Sequence, residues 1–186
     1  MIEAATRSFI ADLAGGDPAD ASLWREALTH GSTGNARNYE RLEFLGDRVL
    51  GLAVAEWLHE LGTGDEGRLS QRLNALVSRA TCAAVAREIG LGPHILLGKQ
   101  ANDDGARDSD NVLGDVAEAV TAAVFIDGGW TAASAFVTRH WGPMMQSDHP
   151  FLNDPKSALQ QWALKRRLGM PDYLVVNRDG PDHAPV

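Results

Sequence analysis

Cysteine, positive charge, strand-like alternation and long apolar runs are all scarce in this chain, and each shortage removes a class of protein. One cysteine, Cys82, in 186 residues cannot close an internal disulfide. A small stapled secreted domain is therefore excluded, and a reducing compartment fits. No uninterrupted apolar stretch approaches the ~18 residues of a membrane span, and the opening Met-Ile-Glu-Ala-Ala-Thr-Arg lacks the basic-then-apolar order of a signal peptide. A soluble cytoplasmic protein without membrane attachment is expected. Lysine and arginine number 17 against 25 acidic residues, a net charge of -8. That balance argues against holding nucleic acid by bulk electrostatics, because neutralising phosphates takes basic side chains. The acid sits in the first part: residues 1–150 carry 12 basic and 21 acidic side chains, whereas 151–186 carry 5 and 4.

What is present is helix. The hydrophobic share of 44% is enough for one substantial core and a small appendage. Apolar residues recur at helical spacing through most of 1–140, which predicts an all-α domain with helices over 21–29, 39–61, 66–77, 79–89, 112–127 and 131–141. Gly62-Thr63-Gly64-Asp65, Gly90-Leu91-Gly92-Pro93 and Gly128-Gly129 punctuate them, and 102–111 is a polar loop with four aspartates. No internal repeat or low-complexity tract occurs. A turn-prone linker over 146–152 separates the domain, 1–145, from 153–186. In the latter, Asp154-Pro155 opens a helix that Gly169 stops, Tyr173-Leu174-Val175-Val176 reads as a strand, and Gly180-Pro181 as a turn. One helix and one strand bury too little surface to stand alone, so this segment looks like the front of an incomplete α/β domain.

On the 39–61 helix, Glu40, Glu43 and Asp47 fall within an arc of about 60°. The other faces carry Leu42, Leu45, Val49, Leu52 and Val54, so the helix is expected to be buried and its acids to need partners. Gly46 costs about 1 kcal/mol against alanine in a helix interior, which is tolerable where another backbone or a ligand comes close. Asp115 and Glu118 form a second set at i and i+3 on a small-residue helix. Packed face to face, the two helices would gather four or five carboxylates, hard oxygen ligands suited to Mg²⁺ or Mn²⁺ and to phosphodiester cleavage. Acids at helical spacing most often form a solvated face, and periodicity alone favours that reading. A di-iron bundle needs paired Glu-x-x-His motifs; only Glu56-Trp-Leu-His59 has the form, on the side of the helix away from the acids.

The run Glu40-Arg41-Leu42-Glu43-Phe44-Leu45-Gly46-Asp47-Arg48-Val49-Leu50 resembles the signature helix of the ribonuclease III family. Leu28-Thr29-His30, Asp65-Glu66-Gly67, Asp115-Val-Ala-Glu118 and Phe125-Ile126-Asp127-Gly128-Gly129 follow the family's order, and Asp154-Pro155-Lys156-Ser157 through Gly180-Pro181-Asp182-His183 resembles the start of a double-stranded-RNA-binding domain of the α-β-β-β-α type. The resemblance implies an all-α endonuclease domain followed by an incomplete α/β RNA-binding domain. It implies a Mg²⁺-dependent endoribonuclease (Mn²⁺ substituting) that hydrolyses double-stranded RNA in RNA processing, leaving 5′-phosphate and 3′-hydroxyl ends, and works as a homodimer. Glu43, Asp47, Asp115 and Glu118 would bind metal, Asp47 and Glu118 being central to catalysis, with Glu40 and Glu66 supporting from the rim through water. Phe44 would insert into the partner subunit; an ordinary core phenylalanine is the competing reading. Ser157, Gln160, Gln161 and His183 would contact RNA, the glutamines otherwise being an exposed helix face. Two departures stand out: Gly31 where an arginine is common, and Arg48 where a serine is common. Neither position is a metal ligand. His30 reads as a packing residue. A non-cleaving RNA-binding protein of the same fold is the alternative, and the intact acids argue against it.

Overall fold

The computed structural model describes residues 4–62, 64–145, 159–160, 162–164, 166–172 and 174. The chain divides into two compact units, Met1–Leu152 and Asn153–Val186. The first is built from α1 (Ala4–Ala14), α2 (Ala21–Ala27), α3 (Glu40–Glu60), α4 (Glu66–Leu76), α5 (Arg79–Glu88), α6 (Lys99–Asp103) and α7 (Asp110–Trp141), joined by short 3₁₀ turns. All-helical architecture is thus observed. α2, α4 and α5 start where short polar side chains take up free backbone N–H groups. Asp20 accepts from Ser22 N at 2.8 Å, Asp65 from Arg68 N at 2.9 Å and Ser78 from Thr81 N at 3.3 Å.

α3 and α7 form the centre. Leu50 and Val54 from α3 meet Val116, Val120 and Ala123 from α7 in a core from which water is fully excluded. α5 lies against α7 with Cys82, Ala83 and Val85, equally buried. The two largest buried side chains, Trp24 and Trp141, keep their indole N–H groups satisfied, as burial demands. Trp24 Nε1 donates to Asp127 Oδ2 at 3.1 Å, and Trp141 Nε1 donates to the carbonyl of Leu76 at 3.1 Å. Asp127 also accepts from the backbone N–H of Ala19 at 3.1 Å, so the Asp127-Gly128-Gly129 stretch ties the loop before α2 to the middle of α7. By length and apolar content α7 could cross a membrane; here its apolar residues are the core of the helical unit.

The structure corrects three expectations. α1 was not anticipated: it buries only Ile10 fully, so its pattern is weak, and it ends at Gly15 with φ 76°. The expected break at Gly128-Gly129, by contrast, is present: Gly129, at φ 73° and ψ -171°, leaves helical geometry and kinks α7 between its two helical parts. Such a pair of angles is open to glycine and little else. The polar loop 102–111 contains the end of α6 and a 3₁₀ turn over Ala106–Asp108. Finally, α3 is not buried all round: Phe44 is 69% and Leu52 59% exposed.

In the second unit the described residues 159–160 and 162–164 are helical. The chain turns at Arg167, φ 57°, with Leu168 N donating to the carbonyl of Ala163 at 3.0 Å; Gly169, also left-handed, follows. The turn thus comes two residues before the expected stop. Leu174 is exposed and belongs to no strand. The rest of the expected strand, the 146–152 linker, the helix start at Asp154-Pro155 and the turn at Gly180-Pro181 lie outside the described residues.

The α3–α7 contact is close enough to name its limit. A Cβ on Gly46 would sit 1.8 Å from the carbonyl oxygen of Glu118 and 2.5 Å from its carbon, both backbone atoms that cannot step aside. Gly46→Ala should therefore cost about 3 kcal/mol or more in denaturant unfolding, although alanine is the better helix former by about 1 kcal/mol. Gly67→Ala, on the exposed first turn of α4 with only an ordinary 3.7 Å contact to Asp65, should be neutral or stabilising. Equal effects at the two positions would contradict this packing.

Candidate active site

The crossing that excludes a side chain at Gly46 places the acids of α3 opposite those of α7. Glu43 and Asp47 lie one turn apart on α3; Asp115 and Glu118 lie one turn apart near the start of α7. Burial pushes Glu118 up to about 7 from an ordinary 4.5, and the charges of Glu43 and Asp115 add to it, with Arg79 and Arg48 acting against. Glu43 is raised as well, first by burial and then by Asp115, with Glu40 adding a little and Arg79 opposing. Glu43, Asp115 and Glu118 therefore share one electrostatic neighbourhood across the helix crossing.

Asp115 is the most closely held of the three. The Tyr39 hydroxyl donates to its Oδ2 at 3.3 Å, and the Arg79 guanidinium stands 3.9 Å from its Oδ1 while donating to Asn111 at 2.9 Å. The Cys82 thiol lies 4.0 Å from Glu118 Oε1, and burial followed by the charge of Glu118 drives it far above the ordinary thiol range. Cys82 is thus a neutral, inert lining to the site.

The other expected residues are placed less centrally. Asp47, on the same face of α3, is paired with the neighbouring Arg48, whose guanidinium also lies 5.4 Å from the centroid of the Phe44 ring. Glu40 turns back over the 31–33 segment: a Cβ on Gly31 would meet its Oε1 at 3.0 Å. The glycine found where an arginine is common gives that carboxylate its room. Glu66 accepts from Ser70 Oγ at 2.8 Å on its own helix, and the charges that raise Glu43 and Glu118 do not include it. His30 Nδ1 accepts from Ser32 N at 3.0 Å and caps the 31–33 turn, in keeping with a packing residue. Phe44 is exposed, so the core reading of this aromatic fails. Gln160 is half-buried on the helical segment of the second unit; Ser157, Gln161 and His183 lie outside the described residues.

The donor set is all carboxylate oxygen, which suits a small hard divalent cation and neutralises the mutual repulsion of the acids. Among the described residues no three Asp, Glu, His or Cys side chains stand close enough to enclose an ion as they are arranged. Asp47 would first leave Arg48, a rotation of an exposed side chain. The residues fit such an ion by chemistry and by placement on two rigid helices.

Sequence reasoning missed Tyr39 and Arg79. Both act on Asp115 from elsewhere in the chain, 76 and 36 positions away, and periodicity within one helix carries no sign of that.

The fold and the site together define an all-α domain with facing carboxylates at its central crossing. A family profile described as ribonuclease-III-like matches residues 20–143. Ribonuclease 3 of Zymomonas mobilis is 49% identical over 179 residues, spanning 96% of this chain and 72% of that protein. Ribonuclease 3 of Rhodobacter capsulatus is 52% identical over 162 residues, 86% of this chain and 71% of that one. The solved nuclease domain of a ribonuclease III from Campylobacter jejuni, described for flexibility in a region involved in its dimer formation, superposes with a TM-score of 0.69 at 33% identity, covering 74% of this chain and 96% of its own. The chain belongs to the ribonuclease III family, and its relatives support an endoribonuclease role.

The raised Glu118 carries a pH signature. Its folded value of about 7 lies above the ordinary 4.5. Below pH 4.5 the group is protonated whether the chain is folded or not, and costs nothing. Between there and pH 7 the unfolded chain ionises first, so this contribution to stability is lost as pH rises through the folded value. Solvent at its open edge reduces the effect to on the order of 1–2 kcal/mol. In chelator, Glu118→Gln should gain that much on wild type between pH 4.5 and 8 in denaturant unfolding; parallel curves would show that Glu118 feels no such strain.

Proposed function

We propose that this chain hydrolyses phosphodiester bonds of double-stranded RNA with the help of Mg²⁺, as a homodimer, leaving 5′-phosphate and 3′-hydroxyl ends, in cytoplasmic RNA processing. The observation that carries the proposal is the gathering of Glu43, Asp115 and Glu118 across the α3–α7 crossing, with Asp47 on the same face. Those four carboxylates would hold Mg²⁺ or Mn²⁺, and Glu40 and Glu66 would support from the rim. A bound divalent cation would lower the pKa of a water so that it can lose a proton and attack phosphorus, and would offset charge on the phosphate oxygens. The chain supplies the rest. Two helices fix the backbone positions of the acids, so what remains on binding is side-chain rotation, Asp47 leaving Arg48 foremost. Glu118, near neutral pKa, can give up its proton at working pH. Arg48, exposed beside Asp47, is available to a phosphate once it leaves that carboxylate. No side chain needs to form a covalent bond with the substrate.

The net charge of -8 is compatible with an RNA substrate because cations offset it where the phosphates come closest. The second unit, read as the beginning of a double-stranded-RNA-binding domain, would add contacts through Ser157, Gln160, Gln161 and His183 to the A-form minor groove.

The test is cleavage of a long RNA duplex by wild type and Glu118→Gln in Mg²⁺, with folding followed by circular dichroism. The variant keeps the side-chain volume and loses the charge, so cleavage should fall about 10²-fold or more, ~2.7 kcal/mol of barrier, while helix content stays. A folded variant that cuts like wild type would remove Glu118 from the chemistry. A wild type that binds duplex without cutting it would favour a non-cleaving RNA-binding protein.

Dimerisation has its own support. Phe44, Gly51, Leu52 and Ala55 line an open side of α3, and an apolar stripe at this spacing matches self-association through a two-fold axis. Phe44→Asp should move the mass in light scattering from dimer to monomer and weaken cleavage. A wild type that is monomeric at micromolar concentration would contradict the homodimer.

A further inference from the structure

Tyr39 is the one uncharged side chain among the described residues that spans from the start of α3 to the acids of α7 by a hydrogen bond. It is only 7% exposed, and its backbone is held on both sides. Its backbone N–H donates to the Thr29 carbonyl at 2.9 Å, and its own carbonyl accepts from Glu43 N at 2.8 Å, opening α3. The Thr29 segment is in turn fixed to Leu96: Leu96 N donates to the Leu28 carbonyl at 2.8 Å, and His30 N to the Leu96 carbonyl at 2.9 Å. The ring packs at 51° against His30, 5.5 Å between centroids. His30 Nδ1 is itself engaged by Ser32. The phenol is therefore aimed, and Asp115 Oδ2 at 3.3 Å is its acceptor. Arg79 stands 3.9 Å from Oδ1, so the Tyr39 hydroxyl is the closer of the two partners.

We propose that Tyr39 is a positioning residue for the hydrolysis: by donating its hydroxyl to Asp115 it orients that carboxylate for a divalent cation and so sets the affinity of the site for metal. A donor to the charged form favours a carboxylate in the state that ligates, and outer partners of ligating groups commonly weigh 10–100-fold in metal affinity. The contact also couples the site to the Thr29–Leu96 bridge, which lies at the far end of the ring from Asp115. Tyr39 touches neither substrate nor metal in this role; it acts through Asp115. The inference rests on the reading of Glu43, Asp47, Asp115 and Glu118 as metal ligands.

The experiment is calorimetric titration of Mg²⁺ into the full metal-free chain as wild type, Tyr39→Phe and Glu118→Gln, with thermal melting of each in chelator. Phenylalanine keeps the ring and removes only the donor. The expected result is Mg²⁺ binding roughly tenfold weaker in Tyr39→Phe than in wild type, a melting temperature within about 2 °C, and no measurable binding in Glu118→Gln. The Mg²⁺ concentration for half-maximal duplex cleavage should rise by the same factor. Unchanged Mg²⁺ affinity in Tyr39→Phe overturns the positioning role alone. A melting temperature lower by more than about 5 °C assigns the hydroxyl to packing and also overturns it. Failure of wild type to bind Mg²⁺, or binding by Glu118→Gln equal to wild type, overturns the ligand reading beneath it.

Discussion

The close passage of α3 over α7 is the constraint on which the rest of this structure depends. Only a glycine at position 46 lets the α3 backbone approach the carbonyl of Glu118, since a Cβ there would lie 1.8 Å from that oxygen. The close approach does two things at once. It lets small residues of α7 pack into a dry core, and it brings two rows of carboxylates face to face at the edge of that core. Fold and site are thus consequences of one contact, and a change that relaxes the packing also moves the acids apart.

Placing acids at such a crossing has an electrostatic cost. Desolvation and neighbouring charges raise Glu43 and hold Glu118 near neutrality, so the metal-free protein carries groups that would be better off in water or beside a cation. The structure answers with partial compensation: Arg79 toward Asp115, Arg48 toward Asp47, the Tyr39 hydroxyl on Asp115. The two arginine contacts are loose or exposed and can be exchanged, unlike the buried indole bonds of Trp24 and Trp141. A site that is rigid in backbone and unsatisfied in charge is pre-organised for a ligand of opposite sign.

Much of this was legible in the sequence because it repeats along single helices. The shared face of Glu40, Glu43 and Asp47, the i, i+3 pair on α7 and the meaning of Gly46 follow from helical spacing, and α3 to α5 fall within a residue or two of expectation. The misses have a common cause. The weak α1 has one fully buried residue to advertise it. Asp127 takes up the indole of Trp24, and Tyr39 reaches Asp115, through contacts made only after the chain has folded. Phe44 shows the reverse: helical spacing made it a core candidate, and its 69% exposure comes from α3 having one side that no helix among the described residues covers.

The central claim is that the α3–α7 crossing holds carboxylates whose charge is incompletely compensated until a divalent cation arrives. Proton release on Mg²⁺ binding tests it most directly, measured by calorimetry at pH 7 in buffers of different ionisation enthalpy. With Glu118 at about 7, the metal-free site is about half protonated there, so binding should expel on the order of half a proton per chain, and less as pH rises. Heat of binding that is independent of buffer, or no binding at all, would contradict the account.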